Sequence, residues 1–222
     1  MAADLILSGN GNGEIDIART ARMVDVTITE AAAAHVGSWN LDQRTVAIHE
    51  AGHSIAATLL GIRMAAVTIK GASGGHLEPA EDDDDLPRFR RDSVLRSLIV
   101  VYLAGPEAMR HLLGEGTTGA EHDLLAATAV AIQRVENGLD PAMPPISLAA
   151  WNYSVPDFLL NRQAELVILA MQRAEEEAQA LVAEHADKIL AFAAILYDRR
   201  RLDGEAIYDA LRSIGVEPKG RP

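Results

Sequence analysis

The stretch His49-Glu50-Ala51-Gly52-His53 decides how the rest of this chain is read. Residues four apart on a helix lie one turn apart on the same face, so both imidazoles can reach one metal ion. Glu50 then stands beside the ion's open position, where a carboxylate can take a proton from water. The surroundings predict a helix. Leu41 to Gly61 contains no proline, Asn40 followed by Gln43 offers an N-terminal cap, and Gly61 follows Leu60 as a stop. Ile48, Ile55 and Leu59 share a stripe that can face a core, with His49 and His53 on another. Ala51 and Gly52 are small enough to let a neighbouring segment come close.

The pentapeptide has the H-E-x-x-H form of zinc peptidases. A catalytic zinc keeps three protein ligands and an open position. The chain has no cysteine, so any ion must be held by histidine and carboxylate. No further histidine follows at the spacing of the longer metzincin pattern, which sends the search for a third ligand downstream. There Thr117-Thr118-Gly119-Ala120-Glu121-His122-Asp123 opens a second helical stretch, Ala120 to Val135, with Thr117 or Thr118 as its cap. A carboxylate near a helix N-terminus is stabilised in its ionised form by the dipole. From chemistry alone Glu121, His122 and Asp123 all qualify.

These two motifs, in this order, resemble the peptidase domain of FtsH-type ATP-dependent zinc proteases. The likeness extends to Leu103-Ala-Gly105, Leu113-Gly114, Glu184-His-Ala-Asp-Lys188 and Leu202-Asp-Gly-Glu-Ala-Ile207, and so runs from about Thr45 to Leu211. It implies a Zn2+ site with His49, His53 and Asp123 as ligands and Glu50 as the catalytic general base. The fold it implies is mainly α, a zincin-like helical domain with a small β-hairpin or sheet beside the metal helix. Two departures stand out. Met109 and Arg110 occupy the place of a pair of glutamates, which removes a carboxylate able to orient a ligand imidazole. His122 replaces an asparagine beside the third ligand.

The expected organisation is an N-terminal segment over 1–38, a peptidase domain over 39–215 and a tail over 216–222. No G-x-x-x-x-G-K-[ST] phosphate loop occurs in the sequence, and the Gly9 to Gly13 run lacks the spacing and preceding strand of a dinucleotide site. The best candidate for a membrane span, Ser97 to Gly105, is about nine residues against about twenty needed. The first residues lack the basic and apolar regions of a secretory signal. A net charge of −12 disfavours nucleic acid. The short basic clusters at Arg88 to Arg91 and Arg199 to Arg201 read as solvated helix ends. The expectation is a cytoplasmic zinc endopeptidase that cleaves unfolded or flexible polypeptides without an ATPase of its own. The alternatives are a non-catalytic binding or regulatory module, and the protease subunit of a separate ATPase; a homo-oligomer is left open.

Elsewhere the pattern is plainer. Leu5 to Leu7 and Val24 to Ile28 read as short strands and Ala31 to His35 as a helical turn. Ala65 to Lys70 reads as a strand, returning at His76 to Glu78 after a glycine turn. His76 is a lesser metal candidate, better read as a loop residue, and Glu81 to Asp85 is an acidic loop. A helix from Asp92 should break or kink at Gly105-Pro106 and resume to Leu113. Asn137 to Pro156, which holds Trp151 and Tyr153, reads as an irregular connection. A long helix follows from Asp157 to about Ala183, with Leu160, Val167 and Met171 facing inwards and Glu175 to Glu177 solvated. Another runs from Asp187 to Tyr197, and Asp203 caps a last helix from Gly204 to Ser213.

Overall fold

A computed structural model describes residues 41–70, 75–80, 90–143, 146 and 155–219. The expected strands and turn before residue 38, the acidic loop at 81–85, and Trp151 and Tyr153 lie outside these residues. Six helices carry the described fold: α1 (Leu41–Leu59), α2 (Asp92–Leu113), α3 (Glu121–Glu136), α4 (Asp157–Glu184), α5 (Ala186–Arg199) and α6 (Glu205–Ser213). Three short strands, β1 (Met64–Thr68), β2 (His76–Pro79) and β3 (Arg201–Asp203), form one antiparallel sheet in the order β2-β1-β3. None of the described helices is long and apolar enough to cross a membrane.

The metal-motif helix is more deeply set than its stripe predicts. From Ala47 to Thr58 every residue of α1 is buried, so it is the central rod of the fold rather than an amphipathic surface helix. Its polar residues are accommodated locally. Ser54 donates to the carbonyl of Glu50 at 2.7 Å, and Thr58 to that of Ser54 at 2.8 Å. Packed around it are α2, α5 and β1, with a core of Ile48, Ile55, Val67, Ile189, Phe192 and Leu196 among others. Full burial of an aliphatic or aromatic side chain of this size contributes about 1.5–3 kcal/mol.

Helix α2 is shared between two cores. Val101, Ala104, Ala108 and Leu112 face α1, while Ile99, Val100 and Leu103 face α3 and α4. Small side chains let α1 and α2 approach closely. A Cβ on Gly52 would lie 2.6 Å from the Ala104 carbonyl oxygen and 2.7 Å from the Ala108 Cβ. The expected break at Gly105-Pro106 does not occur: α2 runs unbroken through Pro106 and ends at Gly114, whose φ of 80° closes the last turn. Packing on both sides outweighs the one backbone hydrogen bond that a proline removes.

Three further expectations change. On α4 the buried residues are Leu159, Leu166, Val167, Ala174, Ala178 and Val182; Val167 faces the core as expected and Met171 packs half-buried against it, whereas Leu160 is 45% exposed. The alanines, too weakly apolar to mark a face in the sequence, set the phase of the helix. Asp203 is not a cap. It lies in β3, where its carboxylate accepts from Arg201 Nε at 2.8 Å, and α6 starts from Gly204 at φ 51°. Strand β3 itself was not expected. It pairs antiparallel with β1, Leu202 opposite Val67, and completes the sheet beside α1.

Candidate metal centre

Burial and local chemistry place each side chain of the site. His49 and His53 project from adjacent turns of α1, and their Nε2 atoms lie 3.0 Å apart. Asp123 sits in the first turn of α3, just after a 3-10 turn, Thr118–Ala120, in which the Thr117 hydroxyl accepts from Gly119 N–H. Its Oδ2 is 2.9 Å from His49 Nε2 and its Oδ1 is 3.4 Å from His53 Nε2. One donor atom from each of the three residues falls within 4.8 Å of the others. The choice between three neighbours at the head of α3 is thereby made: Glu121 and His122 are exposed, and Asp123 alone turns in. His76 is exposed on β2, paired with Thr68, and is not part of the group.

The far side of each ring sets where its lone pair points. His53 Nδ1 lies 2.7 Å from the Val101 carbonyl, so that nitrogen carries the proton and donates it. His49 Nδ1 lies 3.1 Å from the Met109 sulfur. Both Nε2 atoms are left to face Asp123. Gly105 of α2 makes this possible, because a Cβ there would lie 2.6 Å from His53 Cε1.

Electrostatically the group favours an added cation. Burial alone would lower the pKa of His53. Its hydrogen bond with Asp123, the charges of Glu50 and Asp123, and the Val101 carbonyl overcome that and push it up to about 9. His49 is lowered, chiefly by burial and also by the neighbouring His53. Asp123 would be raised by burial, but hydrogen bonds and charge from both imidazoles hold it well below the usual carboxylate range. Glu50 stands next to the group, raised to about 7 mainly by burial. Its Oε2 is buried with no hydrogen-bond partner, and the Gly75 backbone comes so near that a Cβ would meet Glu50 Cδ at 2.7 Å. An orphaned carboxylate oxygen beside three convergent donors fits an ion with a water-sized position next to it.

Sequence reasoning missed the supports of this site. Val101 acts through a backbone carbonyl, which carries no residue signature. Arg134 lies on the same face of α3 as Asp123, Ala127 and Ala131, and donates to Asp92 at 2.5 Å and Asp140 at 2.8 Å. The available signal was spacing: Arg134 falls on the helical face of Asp123, Ala127 and Ala131.

A helical domain with two imidazoles on one helix and a carboxylate from another, beside an unpartnered glutamate, is the architecture of a metallopeptidase domain. The sequence matches the model of Peptidase family M41 over residues 39–210, and the chain belongs to that family. Among curated relatives it is 28% identical over 175 residues to ATP-dependent zinc metalloprotease FtsH 2 of Symbiobacterium thermophilum, covering 75% of this chain and 30% of the relative. It is 30% identical over 212 residues to FtsH 1 of the same organism, covering 92% of this chain and 35% of the relative. Against ATP-dependent zinc metalloprotease FtsH of Thermus thermophilus the identity is 27% over 190 residues, with coverage of 79% and 30%. The chain thus spans about a third of the length of these relatives.

Proposed function

We propose that this chain is a zinc-dependent endopeptidase acting on unfolded or flexible polypeptides. The observation that carries the reading is the convergence of His49, His53 and Asp123 beside the unpartnered Oε2 of Glu50. Two imidazoles and a carboxylate form a donor set suited to catalytic zinc, and the group gathers around a position that favours positive charge. Zinc supplies Lewis acidity: it acidifies water and stabilises negative charge on an attacked carbonyl.

The protein's own residues do the rest. His49 and His53 offer Nε2 lone pairs, their Nδ1 protons being engaged by α2, and Asp123 adds a charged oxygen. Glu50 takes the proton of the attacking water on Oε2 and returns it to the leaving amine. A carboxyl near pH 7 in proton affinity is matched to both transfers. An extended substrate is favoured by β2, a strand at the edge of the sheet whose first residue follows Gly75, the glycine that packs on Glu50.

The test is cleavage of casein by the zinc-loaded chain, with and without chelator, beside Glu50→Gln. Chelator-sensitive cleavage that is lost in the variant is the expected result. Confirmed zinc with no cleavage by either protein would remove stand-alone peptidase activity. The relatives are named ATP-dependent proteases, and this favours a second reading, a peptidase served by an ATPase. Cleavage of a folded substrate only when an ATPase partner and ATP are supplied would identify it.

A further inference from the structure

Each imidazole that holds an ion through Nε2 must place its Nδ1 proton elsewhere, and the two placements differ here. His53 donates to the oxygen of Val101, a strong acceptor. His49 faces the thioether of Met109, a weak one. Met109 is 2% exposed, so its sulfur is shielded from solvent. Metal-binding histidines nearly always give this proton to a carboxylate, a carbonyl or water, and that donation makes the ring a stronger donor to the ion.

We propose that Met109 is a positioning residue for His49 that makes it the weaker of the two imidazole ligands. The sulfur holds the ring in the tautomer that aims Nε2 at Asp123, yet polarises the Nδ1–H bond little. The centre therefore binds zinc less tightly than the same three ligands would with an oxygen at position 109. This rests on the metal-centre reading above. Two substitutions separate the effects. Met109→Gln keeps the length of the side chain, adds no charge and supplies a carbonyl oxygen. Met109→Leu nearly conserves volume and removes the acceptor.

The experiment measures zinc affinity of the 222-residue chain and both variants by competition with a chromogenic chelator. Imidazole nitrogen chemical shifts are recorded by NMR in parallel, and far-ultraviolet circular dichroism checks the helices. Met109→Gln is expected to tighten zinc binding about tenfold, and Met109→Leu to weaken it about tenfold, the lower end for partners of ligand histidines. The His49 nitrogen signals should shift in both variants while those of His53, anchored on Val101, stay put. Equal affinities and an unmoved His49 signal, in folded proteins that bind zinc, would overturn the inference and leave the metal centre standing. No zinc binding by the native chain would overturn the metal centre itself, and this inference with it.

Discussion

Helices α1 and α3 supply the two halves of the metal group, and they are held in opposite ways. Around α1 the packing is close and mostly apolar: it is buried on all faces from Ala47 to Thr58, and Gly52 brings α2 almost to backbone contact. By contrast α3 buries only Ala127, Ala131, Arg134 and Val135, and leaves Leu124 and Leu125 in solvent. Its far end is fastened by a guanidinium between Asp92 and Asp140. Dense packing fixes the two imidazoles to one another, whereas Asp123 is carried by a helix that packs through Ala127, Ala131 and Val135 and is clasped at its far end by charge.

Breaking the polar clasp should have the largest effect. Arg134→Ala leaves the buried carboxylate of Asp140 without its cation and is expected to cost about 3 kcal/mol in urea unfolding. Zinc affinity should fall with it, because Asp123 lies on the same face of the same helix. Loss of stability with unchanged zinc affinity would show that α3 is located by something other than the clasp.

Overfilling the tight half comes next. Gly52→Ala forces a methyl against the Ala104 carbonyl and should cost about 2 kcal/mol, within the usual range for overpacking, despite alanine's better helix propensity. A stabilised variant would mean that α1 and α2 can separate without harm.

A smaller effect is expected at the edge of the clasp. Burial would raise the Asp140 carboxyl, but the Ala142 N–H, the Arg134 guanidinium and the Arg173 charge hold it below its ordinary value of 3.8. A lowered folded pKa gives stability that is complete above the ordinary value of 3.8 and is lost as pH falls on through the lower folded one. Asp140→Asn should therefore unfold about 1 kcal/mol more easily at neutral pH and lose less than the native protein on acidification. Parallel acid limbs for the two proteins would refute this. Least of all should matter Leu125→Lys, 67% exposed on the outer side of α3, with a change within about 0.5 kcal/mol.

What could be read in advance follows the same division. Two histidines at helical spacing stand out because few residue types can hold a metal ion, whereas chemistry alone leaves Glu121, His122 and Asp123 equal and only the family resemblance singles out Asp123. The α-rich fold was equally plain. Strand β3 was not, because three residues with one apolar member, Leu202, have no alternation to detect. The inner face of α4 was only partly visible, at Val167 and Met171, because alanines mark much of it, and the helix through Pro106 was hidden because packing overrides the proline rule there. Arg134 escaped since its partners, Asp92 and Asp140, come from elements that only the folded chain brings together. Nothing in the identity of Val101 announces that its carbonyl meets His53.

Helix α2 contributes no donor to the metal group, yet it borders all of it. Val101 and Met109 meet the two rings, Gly105 leaves room for one of them, and Asp92 at its start anchors the helix that bears Asp123. A lineage could therefore drift widely in the support of this group while every letter of its signature stays the same. Two chains alike at His49, Glu50, His53 and Asp123 would look identical to a motif search and still differ in how these side chains are held, the difference being written along a helix that the signature never mentions.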